Sequence, residues 1–384
     1  MSVFKERLKE VSSFFNNNDV ILGYRKFMDC AMDTQDLTIY REVIQLTDWK
    51  EKHPEKEQEL IEKATSILDK ISQIPVLEYN ASTPIVTGNG IVKSYGKNRF
   101  TLGPVSLDIK KRQVYGLVGE NGNGKTTLLR ILAKELSLTE GSINYHFHET
   151  YNQNYDLRTQ LVYIPQRTQK WYGSLKDNLK FVLSSYGIPP EENETRVLMM
   201  IARFGLWNYK DLKWSELSSG YKMRFELART MLRQPELLLL DEPLANLDVL
   251  AQQVILEDLK SICNSVNNPV ALILSSQQLY EVEKISDKVI YLKNGKYTDN
   301  TESTAETPNK HLIVEIDSSN SRETITAAFA SLGLEKLTYN GGVYVAYFDF
   351  NTSFNAVLEA LGKHQIDVTY TRNITASTRR FFVS

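Results

Sequence analysis

Gly119-Glu120-Asn121-Gly122-Asn123-Gly124-Lys125-Thr126 is the stretch on which the reading of this chain turns. It has the form G-x-x-x-x-G-K-[ST], follows an apolar run at Val114–Val118 and opens a helical pattern near Lys125. Its glycines permit a tight path in which successive N–H groups converge on phosphate oxygens. The helix that follows adds the positive end of its dipole. Lys125 is placed to reach the β- and γ-phosphates of a nucleotide, and Thr126 to offer a hydroxyl to Mg²⁺.

Outward from this loop, short apolar runs alternate with amphipathic helical patterns. The runs at Val114–Val118, Leu161–Ile164, Leu237–Leu240, 270–274 and 289–292 are bounded by polar or turn residues and read as buried strands. Between them, 125–136, 220–232 and 247–262 carry helical spacing. The alternation predicts an α/β fold with a mainly parallel sheet over about 88–300. The run ending in Leu240 leads directly into Asp241-Glu242. That position sets two carboxylates at a sheet edge, Asp241 to hold a metal through water and Glu242 to orient or deprotonate an attacking water.

Both flanks read differently. In 1–85, Leu8, Val11, Phe14 and Phe15, then Leu60, Ile61, Ala64, Ile67, Leu68 and Ile71, recur at three- and four-residue spacing, which predicts a helical hairpin or small bundle. Residues 80–89, with Pro84 and Gly88, read as a connector, and 298–309, rich in Thr, Glu, Asn and Ser, as a second linker. From 310 to 384 the pattern runs strand 311–316, helix 322–332, strands 335–339 and 343–348 around Asn340-Gly341-Gly342, helix 354–361 and strand 366–370. That βαββαβ order predicts a small ferredoxin-like α+β domain.

The whole chain sets limits on class. It has 384 residues, 42% hydrophobic and 24% charged, with a formal net charge of −2. That length and balance fit two or three globular domains, and the charge lacks the basic footprint of a nucleic-acid binder, so no direct nucleic-acid partner is expected. Cys30 and Cys263 are too few for a disulfide framework or zinc site and suit a reducing cytoplasm. No apolar run approaches the roughly 20 residues of a membrane span. Any membrane role must therefore pass through a partner.

A phosphate loop alone fits kinases, GTPases and motors. Here further elements follow in the order of the ATP-binding cassette (ABC) ATPases, and the chain resembles that family over about 90–300. Leu217-Ser218-Ser219-Gly220-Tyr221 resembles the LSGGQ signature, Val162-Tyr163-Ile164-Pro165-Gln166 the Q-loop segment, and Ala245-Asn246-Leu247-Asp248 the D-loop. The resemblance implies a P-loop ABC-type ATPase domain with a helical subdomain at about 150–235. It makes Gly119, Asn121, Gly122, Asn123, Gly124, Lys125, Thr126 and Thr127 nucleotide contacts, and Thr126, Gln166 and Asp241 metal residues. Tyr95 is the aromatic that stacks on adenine. Ser218, Ser219, Gly220 and Asp248 complete the ATP site of an opposing subunit, so that ATP joins two copies and hydrolysis releases them. Glu242 and the residue at the switch-histidine position are catalytic.

That last position departs from the family. Gln277 stands there in Leu274-Ser275-Ser276-Gln277-Gln278-Leu279, and Ser219 and Tyr221 replace the signature's first glycine and its glutamine. A glutamine donates one neutral hydrogen bond where a histidine can donate a charged one, so slow hydrolysis is expected. One nucleotide domain, no span and a ferredoxin-like tail of regulatory type resemble exporter ATPases with a separately encoded permease. The resemblance therefore implies an ATP- and Mg²⁺-dependent homodimer, cytoplasmic and peripheral to the plasma membrane, whose groove near Gln166, Trp171 and Tyr172 receives a permease helix. The alternative is a soluble ABC ATPase acting on ribosomes, DNA or another assembly. A small-molecule kinase would leave 217–220 and Asp248 without a role.

Overall fold

The computed structural model describes residues 2–79, 83–97, 99–147, 154–277, 282–299, 311–340, 342–349 and 351–375, with backbone alone at 154–156, 298–299 and 340. The N-terminal region folds into four helices, α1 (Val3–Asn16), α2 (Val20–Thr34), α3 (Leu37–Lys52) and α4 (Glu57–Ser72). Ser2, Asp19 and Asp36 cap the first three by accepting backbone N–H groups, as short polar side chains at such positions do. Phe4, Leu8, Val11 and Phe15 form the buried stripe of α1, and Leu60, Ala64, Ile67, Leu68 and Ile71 that of α4. Gly23 is needed where α2 crosses α1, because a Cβ there would meet the Phe15 ring at 2.8 Å.

The nucleotide domain holds two sheets. An antiparallel sheet has the order β2-β1-β4, from β1 (Pro84–Ser94), β2 (Thr101–Lys110) and β4 (Glu140–Tyr145). The second sheet has the order β5-β6-β7-β3-β8-β9, from β3 (Val114–Val118), β5 (Leu161–Ile164), β6 (Leu237–Leu240), β7 (Ala271–Ser276), β8 (Lys288–Lys293) and β9 (Lys296–Asp299). Its pairings are parallel except β8 with β9. Strands β3, β6 and β7 are buried along their whole length, as expected of unbroken apolar runs covered on both faces.

The helices of this domain are α5 (Lys125–Leu132), α6 (Asn154–Gln160), α7 (Leu175–Ser185), α8 (Pro190–Arg203), α9 (Ser219–Met231) and α10 (Val249–Cys263). The mainly parallel sheet is as the sequence predicts, but the connector at 80–89 is not. Pro84 begins β1, where a strand's first residue tolerates a missing N–H, and the register shift after Gly88 absorbs the glycine as an irregularity within the strand. Likewise 298–299 belongs to β9, and 300–310 lies outside the described residues. Because β5 lies in the main sheet, the helical layer of this domain begins after Gln166.

The bundle does not stand apart. Its buried residues merge with those of α8 and α10 into one apolar cluster. Asp33 of α2 accepts from Ser265 Oγ at 2.6 Å and from the Val266 N–H at 2.9 Å, tying the bundle to the chain just past α10.

The C-terminal region contains β10 (His311–Ser318), α11 (Arg322–Ala328), β11 (Leu334–Asn340), β12 (Val343–Asp349), α12 (Phe354–Lys363) and β13 (Val368–Asn373). Its antiparallel sheet has the order β11-β12-β10-β13, the split βαβ arrangement of a ferredoxin-like fold. Phe329 and Phe348 meet edge to face at 5.1 Å in its core. Arg372 pairs with Glu283 of the nucleotide domain.

Candidate functional site: a phosphate loop facing two carboxylates

Strand order builds the site. With β7 lying between β3 and β6, the carboxyl ends of all three stand side by side, and the loop after β3 faces the residues after β6 and β7. Gly122 and Gly124 have positive φ, +83° and +99°, and Gly124 is the N-cap of α5. Gly119 must be glycine for a different reason: a Cβ would lie 2.4 Å from the Leu292 carbonyl oxygen. Asn123 is buried, and its Oδ1 accepts the Asn294 N–H at 2.9 Å, fastening the loop to the β8–β9 turn. Lys125 Nζ donates to the Gly119 carbonyl at 2.6 Å and lies 3.5 Å from Glu242 Oε1. Asn121, Gly122 and Asn123 line a groove of about 590 Å³ with Phe100, whose ring lies against Gly124. Tyr95, 45% exposed, is at the end of β1, where its N–H donates to the Phe100 carbonyl across the hairpin.

Across from the loop, Asp241 is 4% exposed, and three hydroxyls donate to it. Thr126 Oγ1 lies 2.8 Å and Tyr163 Oη 3.2 Å from Oδ2, while Ser275 Oγ lies 2.7 Å from Oδ1. Burial first, and then the Asp241 carboxylate, pushes the Tyr163 phenol's pKa up, so it remains a donor. Glu242 follows in a left-handed conformation, φ +48°, uncommon for a non-glycine residue. Its carboxylate accepts from Gln166 Nε2 at 2.9 Å and from Gln277 Nε2 at 2.8 and 3.0 Å.

The oxygen donors here suit a hard cation that arrives with phosphates, since Thr126 and Asp241 already converge and Gln166 adds an amide. Among the described residues no cluster of three or more His, Cys, Asp or Glu is placed to hold a metal.

Apart from Tyr95, the sequence-derived residues thus fall into two groups. Residues 119–127, Gln166, Asp241, Glu242 and Gln277 meet at the sheet edge. The second group begins at Ser218, the N-cap of α9, whose Oγ accepts the Tyr221 N–H. Ser219 Oγ donates to the Asn246 carbonyl at 3.2 Å, and Asp248 caps α10 by accepting the Ala251 N–H at 2.9 Å. A Cβ on Gly220 would lie 3.3 Å from Ala251 Cβ, so the starts of α9 and α10 pack together. Tyr221 lies against Tyr209, ring centroids 3.9 Å apart. Gln278 and Leu279 of the switch segment fall outside the described residues.

Four residues of the site have no role assigned from the sequence: Phe100, Tyr163, Ser275 and Asn294. Tyr163 lay inside the quoted Q-loop segment, and its position three residues before Gln166 was a usable signal. Ser275 had none, because its role depends on which strand lies beside β6.

Comparison with known proteins agrees with this geometry. A family model described as ABC transporter matches residues 102–245. Over 214 residues the chain is 31% identical to the uncharacterized ABC transporter ATP-binding protein YhaQ of Bacillus subtilis, covering 55% of this chain and 69% of that one. It is 32% identical over 229 residues to the lantibiotic transport ATP-binding protein SrtF of Streptococcus pyogenes, covering 58% of this chain and 95% of the relative. The fold is similar to that of CbiO1 from Clostridium perfringens, part of the ABC transporter complex CbiONQ, with a TM-score of 0.53 at 23% identity over 65% of this chain and 96% of that one. The chain belongs to the ABC transporter family, as one of its ATP-binding and ATP-hydrolysing subunits.

Proposed function

We propose that this subunit closes with a second copy of itself around two Mg²⁺-ATP molecules and thereby drives a permease encoded on a separate chain. The observation that carries this reading is the joining of the Ser218–Gly220 helix start to the 245–248 turn through Ser219 and Asn246, beside Val249 and Leu250, which are 67% and 74% exposed. A helix N-terminus offers N–H groups to an anion, and an exposed apolar pair next to it suits a protein face.

On the nucleotide side, the N–H groups of 119–126 receive the phosphates, and Tyr95 offers its exposed ring to the base. Lys125 exchanges its loop carbonyls for phosphate oxygens. Mg²⁺, held by Thr126, Asp241 and Gln166, would offset the charge of the phosphates. Glu242 orients the attacking water and takes its proton, while Gln277 contributes a neutral donor near the γ-phosphate. A neutral donor stabilises developing charge less than an imidazolium does, so turnover is slow.

The permease contact is assigned to the groove of about 610 Å³ lined by Gln166, Arg167, Trp171 and Arg229. Trp171, which lines the groove, and its chain neighbour Tyr172, which does not, divide the work. Trp171 Nε1 donates to Glu226 at 2.6 Å and its ring lies under Arg229, so it packs the helical layer. Tyr172 is 91% exposed and free to meet a partner. Among the described residues no helix is long and apolar enough to cross a membrane, so membrane association would run through that permease.

The test is the oligomeric state of Glu242→Gln by light scattering after size exclusion, with and without Mg²⁺-ATP. A monomer that becomes a dimer only with nucleotide supports the two-copy site. A monomer that binds ATP yet never dimerises overturns the homodimer.

A further inference from the structure

Ser275 is 0% exposed, and the chemistry of its neighbours fixes the direction of its bonds. A carboxylate can only accept and an amide N–H can only donate. The single hydroxyl proton therefore goes to Asp241 Oδ1, at 2.7 Å, and an oxygen lone pair receives the Glu242 N–H, at 2.9 Å. We propose that Ser275 is a positioning residue that sets the metal-holding Asp241 and the water-activating Glu242 at the same time.

Three features of the fold support this. The pairing Leu240↔Leu274 carries the chain ends of β6 and β7 forward in register, so Ser275 arrives beside Asp241 without displacement of either strand. Ser275 takes the Asp241 oxygen that Thr126 and Tyr163 leave free, which fixes the carboxylate's rotation and keeps Oδ2 turned to Thr126. Glu242 holds a left-handed conformation, which costs free energy and persists only where the surroundings enforce it. The bond from its N–H to Ser275 is such a constraint. Gln277, two residues further along the same strand direction, then holds the other end of Glu242 by its carboxylate. The carboxyl end of β7 thus grips the catalytic glutamate at its backbone and at its side chain.

A buried serine that merely satisfies two polar groups would affect folding and little else. Ser275→Ala removes both bonds, Ser275→Cys keeps the size with only a weak donor, and Ser275→Thr keeps the hydroxyl in a strand that accepts β-branching. The measurements are kcat and KM for ATP, the Mn²⁺ midpoint of the ATP-bound protein by electron paramagnetic resonance, and melting temperature. Outer partners of a metal ligand are typically worth about 10–100-fold in affinity or activity. Ser275→Ala and Ser275→Cys are expected to lose about 10-fold or more in kcat and to raise the Mn²⁺ midpoint several-fold, with KM for ATP within about twofold. Ser275→Thr should recover most of both.

Unchanged turnover and Mn²⁺ midpoint in the Ala and Cys variants would overturn the proposal. So would a Thr variant as impaired as the Cys variant, because that pattern marks sensitivity to shape alone. If the Ala protein fails to fold, the Thr and Cys pair decides. The inference rests on Asp241 serving a metal. Failure of that assignment would appear in the wild type, as hydrolysis indifferent to chelation.

Discussion

Two buried aspartates in this molecule are held in opposite ways. Asp241, 4% exposed at the end of β6, receives three neutral hydroxyls, from Thr126, Tyr163 and Ser275. Asp258, 2% exposed on α10, faces three guanidinium groups. Arg203 of α8 lies 2.9 Å away, Arg25 of α2 3.0 Å and Arg224 of α9 3.8 Å. Arg203 also pairs with Asp29 of α2. Burial works to lower its pKa, but Asp29 and Asp258 outweigh it and hold it up. Hydroxyl donors orient a carboxylate without cancelling its charge, which stays available to a cation. Guanidinium donors cancel the charge and fasten elements together. The first aspartate is set up for chemistry, the second for joining the N-terminal bundle to the helical layer and to α10.

Substitution can break this contrast. Asp258→Asn leaves three arginines facing a neutral amide, and removing one partner of a buried pair typically costs about 3–5 kcal/mol. Denaturant unfolding should register that loss, with ATP affinity of the folded protein nearly unchanged. Asp241→Asn should do the reverse, lowering kcat by about 100-fold or more while the melting temperature moves little. Equal destabilisation by the two would erase the distinction. A smaller effect sharpens the chemical side: Gln277→His restores a charge-capable donor beside Glu242 and should raise turnover by about 5–10-fold, since a charged hydrogen bond exceeds a neutral one by about 1 kcal/mol. No gain would overturn the proposal that Gln277 limits turnover. The smallest effect belongs to Arg25→Ala. Its side chain is 27% exposed and its second partner, Glu257, is 59% exposed, so about 1 kcal/mol is expected by the same unfolding measurement.

Much of the catalytic half was legible because local motifs carry their own geometry. Gly122 and Gly124 sit at positive φ, as a phosphate loop requires, and Asp241-Glu242 follow an apolar strand as the pattern predicts. Helical spacing was legible at 220–232 and 247–262, and Ser218 and Asp248 are the N-caps of the helices found there. The connector at 80–89 failed because Pro84 and Gly88 carry the composition of a turn, while pairing with β2 and β4 overrides that preference. Of the four helices of the N-terminal region, α1 and α4 were visible as stripes while α2 and α3 were not, and nothing in the sequence names Arg203 or Asp258 as partners 174 and 233 positions away from Asp29 and Arg25.

The sequence by itself determined the phosphate loop, the two carboxylates, the signature helix and the alternation of β3, β5, β6, β7 and β8 with α5, α9 and α10. Each of these depends on neighbours within about one turn or one strand, where covalent connection sets the distances. Tertiary structure alone decided that β7 lies between β3 and β6, which brings Ser275 to Asp241 and Gln277 to Glu242. It alone also decided that α2 lies across α8 and α10, where Asp29 and Asp258 share one arginine. Such pairings follow from which faces bury together, and burial is a property of the assembled core rather than of any segment in it.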